Sequence, residues 1–264
     1  MTTPIALTIA GSDSSGGAGI QADLKTFAAF GVYGASVITA LTAQNTRGVS
    51  GVHPVPPAFI TAQMDAVFDD LDVKAVKIGM VAQLSIIEAV AAALTRRTTG
   101  PVVLDPVMVA ESGTVLLDDD ARDVLVARLL PLTTVATPNI PEARALCGLG
   151  EEATQEELAR AVVALGPRAA VVTGGHSEEV VDVFCEGGDV VEIPGERHPD
   201  GAAHGSGCTH SSTLAAYLAH GATPLEAARK ARRVTSAAVG AGLRDIGKGP
   251  GPVDVFNLTA EPRQ

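Results

Sequence analysis

Short apolar runs alternate with amphipathic stretches along most of this chain. Residues 5–10 form a mostly apolar run that stops at Gly11, the pattern of a strand buried on both faces. After a loop of glycine and small polar residues (11–19), Ile20, Leu24, Phe27 and Phe30 recur at helical spacing, and Gly31 supplies a stop. The alternation then repeats. Strands are expected over 35–42, 74–78, 102–104, 133–136 and 169–172, with helices over 57–71, 85–97, 118–130, 141–147 and 154–165. Residues 180–185 and 190–193, joined by Glu186-Gly187-Gly188-Asp189, read as an antiparallel hairpin at a sheet edge. Two helices close the pattern, 208–220 and 224–241, the second opened by Thr223-Pro224. Strand and helix in regular turn predict an α/β fold: a mostly parallel central sheet with helices on both faces and a small antiparallel edge hairpin. The 264 residues carry no internal repeat or long linker, so a single domain over 1–264 is expected.

In an open parallel sheet the ligand sits beyond the carboxyl ends of the strands. The polar residues collected there are Asp13, Gln44, Asp105, Asn139, Thr173 and His176. Gly17-Ala18-Gly19-Ile20-Gln21-Ala22 fits the dinucleotide fingerprint, yet the second strand ends in Ala43-Gln44-Asn45-Thr46, without the acid a ribose requires. That match is weak.

Composition narrows the partners. Aromatics are 3% of the chain and Trp is absent, so the core is built from Ala, Val, Leu and Ile. The formal net charge of −11, with no basic run, argues against a nucleic-acid surface. Phosphates remain accessible through backbone amides, local lysines and Mg²⁺. The three cysteines lack zinc-ligand spacing and fit a reducing compartment. No basic leader or membrane-length apolar run is present, so a cytoplasmic protein without a membrane partner is expected.

Chemistry concentrates in His204-Gly205-Ser206-Gly207-Cys208-Thr209-His210. Two glycines at a helix start let backbone amides converge on one point, and the helix dipole adds positive potential: an anion site. Cys208 at its edge is expected to be a thiolate of lowered pKa. Gly242-Leu243-Arg244-Asp245-Ile246-Gly247-Lys248-Gly249 has the glycine and lysine spacing of a phosphate loop but lacks its Ser/Thr and follows a helix. Lys248 is therefore read as either solvent-exposed or near phosphate.

Seven segments, in order, resemble the hydroxymethylpyrimidine/phosphomethylpyrimidine kinases of thiamine biosynthesis. They are residues 6–27 (with Gly11-Ser12-Asp13-Ser14-Ser15-Gly16-Gly17-Ala18-Gly19), 37–46, Lys77-Ile78-Gly79-Met80, Leu104-Asp105-Pro106-Val107-Met108-Val109, Thr137-Pro138-Asn139-Ile140-Pro141-Glu142-Ala143, Gly174-Gly175-His176 and the Gly205 loop. The resemblance implies a ribokinase-like fold and ATP-dependent phosphorylation of 4-amino-5-hydroxymethyl-2-methylpyrimidine, then of its monophosphate. It implies Cys208 as general base, with the Gly205 and Gly207 amides holding the transferring phosphoryl group. Gln44 matches the pyrimidine-recognising glutamine, with Gly11, Asp23, Met80 and Val107 on the substrate side. Asn139, Glu142, Thr173, Gly174 and Lys248 fall on the nucleotide side, and Asp105 and Glu142 on Mg²⁺. A homodimer is common in such a family.

Departures are also legible. The family usually has lysine where Thr173 stands, and often lysine where Glu111 stands. The segment 198–203 also differs from the usual one. Lys25, Arg232 and Lys248 are candidates to replace the missing charge. The alternatives are a pyridoxal/pyridoxine kinase of the same fold, disfavoured by Gln44 and Met80, and a non-catalytic ligand-binding relative, disfavoured by Cys208 and its glycines.

Overall fold

A computed structural model describes residues 2–97, 100–109, 117, 119–175, 180–199 and 201–257. Its centre is a nine-stranded sheet ordered β3-β2-β1-β4-β5-β6-β7-β8-β9. The strands are β1 (Ile5–Ser12), β2 (Tyr33–Asn45), β3 (Gly48–Pro54), β4 (Val73–Ile78), β5 (Val102–Leu104), β6 (Val135–Ala136), β7 (Ala169–Val172), β8 (Val181–Glu186) and β9 (Asp189–Pro194). From β2 across to β7 every neighbouring pair is parallel. The β8–β9 hairpin extends one edge antiparallel, as its turn sequence predicts. The opposite edge holds β3, antiparallel to β2, which is not among the strands expected from the sequence. Gly48, Ser50, Gly51, His53 and Pro54 give that strand no apolar alternation, and most of it is exposed.

Period-2 alternation divides the core between the two faces of the sheet. Leu7, Ile9, Val76, Ile78, Val102, Leu104, Ala170 and Val172 pack against α2 (Pro57–Asp70), α3 (Leu84–Thr95), α4 (Asp119–Arg128), α5 (Ile140–Cys147) and α6 (Gln155–Ala164). The intervening Ala6, Val103, Val135, Val171 and Phe184 meet α1 (Gly19–Ala29), α7 (Ser206–Ala219) and α8 (Pro224–Gly240). On that second face Thr8, Lys77 and Asp182 are polar and wholly shielded from water. Buried polar groups require partners. Here the partners come from α1, α7 and α8, and they lie beneath or beside the cleft.

Candidate active site

A cleft of about 530 Å³ opens at the carboxyl ends of the parallel strands, within the volume range of small-molecule sites. Its floor is the start of α7. Gly205 is the N-cap residue, at φ 80°, where no side chain caps the helix. A Cβ there would overlap the Gly17 carbonyl oxygen. Glycine thus permits both the left-handed turn and the approach of the 13–19 loop. The first-turn amides of Gly207 and Cys208 have no intrahelical acceptor and lie at the positive end of the dipole.

Asp13 ties the two glycine loops together. Its Oδ1 accepts from the Ser15 amide and hydroxyl, both at 2.8 Å, and its Oδ2 from the Gly17 and Ala18 amides at 3.0 and 2.9 Å. His204 Nε2 lies 3.0 Å from Oδ2. Burial works to raise the carboxyl's pKa, but His204 and the donors around Ser15 and Ala18 outweigh it and hold it down at about 2. His204, one residue before the N-cap, opens the stretch in which the sequence concentrates its chemistry, but the sequence assigns it no role. Its partner lies far away in sequence, and no local pattern signals the pair.

At or just beyond the ends of β1, β2, β4 and β5 stand Gly11, Gln44, Met80 and Val107, all lining the cleft. Ser14 Oγ clamps the Gln44 backbone, accepting from its N–H at 2.9 Å and donating to its C=O at 2.8 Å. Thr42 Oγ1 sits 3.2 Å from Gln44 Oε1 but 2.7 Å from Ser12 O, so its single proton goes chiefly to Ser12. The Gln44 amide therefore keeps both donor and acceptor capacity for a ligand.

Beyond β6 and β7 stand Asn139, Glu142 and Thr173, with Asp105 after β5 also in the lining. Asn139 caps α5 in a capping box with Glu142. Glu142 also accepts from the Met108 amide at 3.3 Å. Burial, then the neighbouring charge of Asp105, pushes the Glu142 carboxyl up to about 8. Burial likewise raises Asp105, against the pull of Lys77 and of Ser211, whose hydroxyl donates to Oδ2 at 3.0 Å. Two nearby carboxylates that resist ionising together are a donor set that a divalent cation would stabilise.

Four expectations need correction. Asp23 does not reach the cleft: it is fully buried beneath it, paired with Lys77 at 3.0 Å and accepting from Thr8 and Ser212, each at 2.6 Å. Lys77 is the residue of that pair that lines the cleft. Lys248 is exposed and outside the cleft lining, its amide donating to Thr46 Oγ1 at 3.1 Å. Gly174 is absent from the lining too; its amide donates to Asp182 Oδ1 at 3.1 Å. The fourth concerns Cys208, which lines the cleft half-buried, its thiol pushed up rather than down. Burial pushes it up to about 12; Lys77 and the Gly19 amide pull it down, while Asp23 and Asp105 oppose them. Of the candidate replacement cations, Arg232 lines the cleft, whereas Lys25 bonds the Gly16 carbonyl at 2.7 Å outside it. His176 and Glu111 lie outside the described residues.

A mostly parallel α/β sheet with a glycine cradle, an adjacent cysteine and a carboxylate pair beyond its strand ends defines a ribokinase-like phosphotransferase. The sequence model of the family described as phosphomethylpyrimidine kinase matches residues 13–254, and the chain belongs to that family. It is 52% identical to the hydroxymethylpyrimidine/phosphomethylpyrimidine kinase of Rhizobium meliloti, over 97% of this chain and 98% of that protein. The Escherichia coli kinase of the same name is 45% identical, over 96% and 97%. Among solved structures, a Bacillus subtilis pyridoxal kinase in complex with ADP superposes with a TM-score of 0.90 at 37% identity, covering 98% of this chain and 100% of that one. A phosphomethylpyrimidine kinase from Clostridium difficile gives 0.78 at 41% identity, covering 87% and 96%. Among the described residues no helix is long and apolar enough to cross a membrane.

Proposed function

We propose that this chain transfers the terminal phosphoryl group of ATP to the hydroxymethyl group of 4-amino-5-hydroxymethyl-2-methylpyrimidine, and then phosphorylates the monophosphate. The observation that carries this reading is that one cleft is lined by the Gly205–Cys208 helix start, by Gln44 at the end of β2, and by Asn139, Glu142 and Thr173 beyond β6 and β7. Gln44 accepts from the exocyclic amine and donates to the adjacent ring nitrogen, while Met80 and Val107 form apolar walls. The Gly207 and Cys208 amides hold the transferring phosphoryl oxygens. Cys208 takes the hydroxyl proton; because its thiol is neutral in the ligand-free protein, it does so only from the thiolate minority. Asp105 and Glu142 would hold Mg²⁺ together with water and phosphate oxygens, and the ion would neutralise charge developing on the phosphates. A cytoplasmic homodimer completes the proposal, with Leu41 and Val52 exposed on the β2–β3 edge as apolar surface for a second copy.

Coupled measurement of ADP release on the aminopyrimidine alcohol, its monophosphate and pyridoxal tests the reading. Turnover of the alcohol well above that of pyridoxal is expected. A preference for pyridoxal would make the chain a pyridoxal kinase, the reading favoured by its likeness to the Bacillus subtilis enzyme. No turnover of any of the three would leave a binding protein.

A further inference from the structure

The wall of the cleft formed by α8 carries buried donors that none of the described residues satisfies. Arg232 and Thr235, three residues apart on α8, both line the cleft, and each is only 7% exposed. Arg232 Nε and Thr235 Oγ1 nevertheless have no hydrogen-bond partner among the described residues. The remainder of the guanidinium is held firmly. Nη2 donates to the Val180 carbonyl at 3.0 Å, and Nη1 lies 3.5 Å from Asp182 Oδ1. The guanidinium lies against Gly195, where a Cβ would overlap it. His210 of α7 places Nε2 3.2 Å from Asp182 Oδ2, yet neither ring nitrogen has a hydrogen-bond partner of good direction among the described residues.

Leaving one buried donor unpaired is costly, and several in one wall of a cleft are completed by ordered water or by a ligand. The donors are a guanidinium and a hydroxyl beside an imidazole, a set suited to phosphate oxygens. The strand-end residue at this wall, Thr173, is neutral, so the positive charge of the lining here comes from Arg232 and Arg197. Asp182 screens Arg232 only partly, since 3.5 Å is long for a hydrogen bond and Oδ1 already accepts from Gly174.

We propose that Arg232 and Thr235, with His210 beside them, bind the phosphate chain of the nucleotide, Asp182 and Gly195 acting as positioning residues. This inference rests on the kinase reading above. It accounts for how a cleft whose strand-end position 173 is uncharged still receives a polyanion.

Isothermal titration of the full chain with ADP and with adenosine, in the presence of Mg²⁺, separates the phosphate contribution from that of the nucleoside. Arg232→Met is expected to weaken ADP about tenfold to a hundredfold while adenosine stays within about twofold of native. Thr235→Val is expected to weaken ADP about threefold to tenfold without lowering the melting temperature, since it removes an unpartnered buried hydroxyl. Gly195→Ala, which displaces the guanidinium without removing it, is expected to act in the same direction as Arg232→Met. Should Arg232→Met fail to fold, the other two variants decide. Native ADP affinity in these variants, or an equal loss of ADP and adenosine, would overturn the inference. A native chain that binds neither ligand would instead overturn the kinase reading, and the inference with it.

Discussion

Lys77 Nζ lies 3.0 Å from Asp23 Oδ1, and neither side chain has any exposure to water. Burial alone would lower the lysine's pKa, but the charge of Asp23 in particular holds it raised, so the ammonium persists under the cleft. Thr8 and Ser212 occupy the remaining lone pairs of the carboxylate. The pair links α1 to β4 and places a fixed positive charge near Cys208.

Removing one partner strands the other as an unpaired buried charge. Lys77→Met or Asp23→Asn is therefore expected to cost about 3–5 kcal/mol in urea unfolding. The double substitution Lys77→Met with Asp23→Leu recovers part of that loss, because neither charge is then left alone. Equal stability of the single variants and the native chain would show that water reaches the pair.

The Asp13 carboxyl gives a second stability prediction, with a definite sign. Its pKa is held at about 2 against a usual 3.8, so its contribution is fully present above about pH 4 and is lost as pH falls toward 2. The depression corresponds to about 2 kcal/mol. Asp13→Asn should lower the melting temperature at neutral pH and remove this part of the acid-dependent loss. An unchanged slope of stability against pH in the variant would exclude Asp13 as its source.

Gln44→Leu should impair the aminopyrimidine far more than the nucleotide. The variant keeps the backbone clamp to Ser14 and loses only the amide that pairs with the ring. A fall of about tenfold to a hundredfold in kcat/KM for the pyrimidine is expected, with KM for ATP unchanged. A native pyrimidine KM in the variant would remove Gln44 from the site.

Much of this architecture was legible because local pattern dictates it. The parallel strands, the β8–β9 turn and the glycine loops follow from apolar runs and punctuation that lie close together in sequence. β3 was not legible, since a short exposed edge strand has no apolar period to read. Asp23 was misplaced for a different reason. Its partner Lys77 is 54 residues away, and only the fold brings the two together on the buried face. Cys208 combined both limits: the helix terminus that favours a thiolate is local, but the Asp23 and Asp105 carboxylates and the burial that oppose it come from tertiary packing.

That balance at Cys208 leads to the last prediction. With its thiol pushed up to about 12, the thiolate is a small minority at neutral pH in the ligand-free chain. Iodoacetamide should therefore label Cys208 slowly at about pH 7, no faster than Cys147, whose thiol is pushed up to about 11. If the thiolate takes the hydroxyl proton, kcat/KM should rise about tenfold per pH unit from about pH 7 to about pH 9, because the active form grows in proportion to hydroxide. Cys208→Ala should abolish that slope and lower turnover about 10²–10⁴-fold, while ADP binding survives on the helix-start amides. Lys77→Met, where it folds, should lower kcat/KM at each pH in that range with the slope unchanged, by removing the charge that favours the thiolate. A flat pH profile with native turnover in Cys208→Ala would show that the hydroxyl needs no base here. Phosphoryl transfer would then rest on positioning and on charge stabilisation by the cradle, with the cysteine serving only as the small side chain that leaves its amides open.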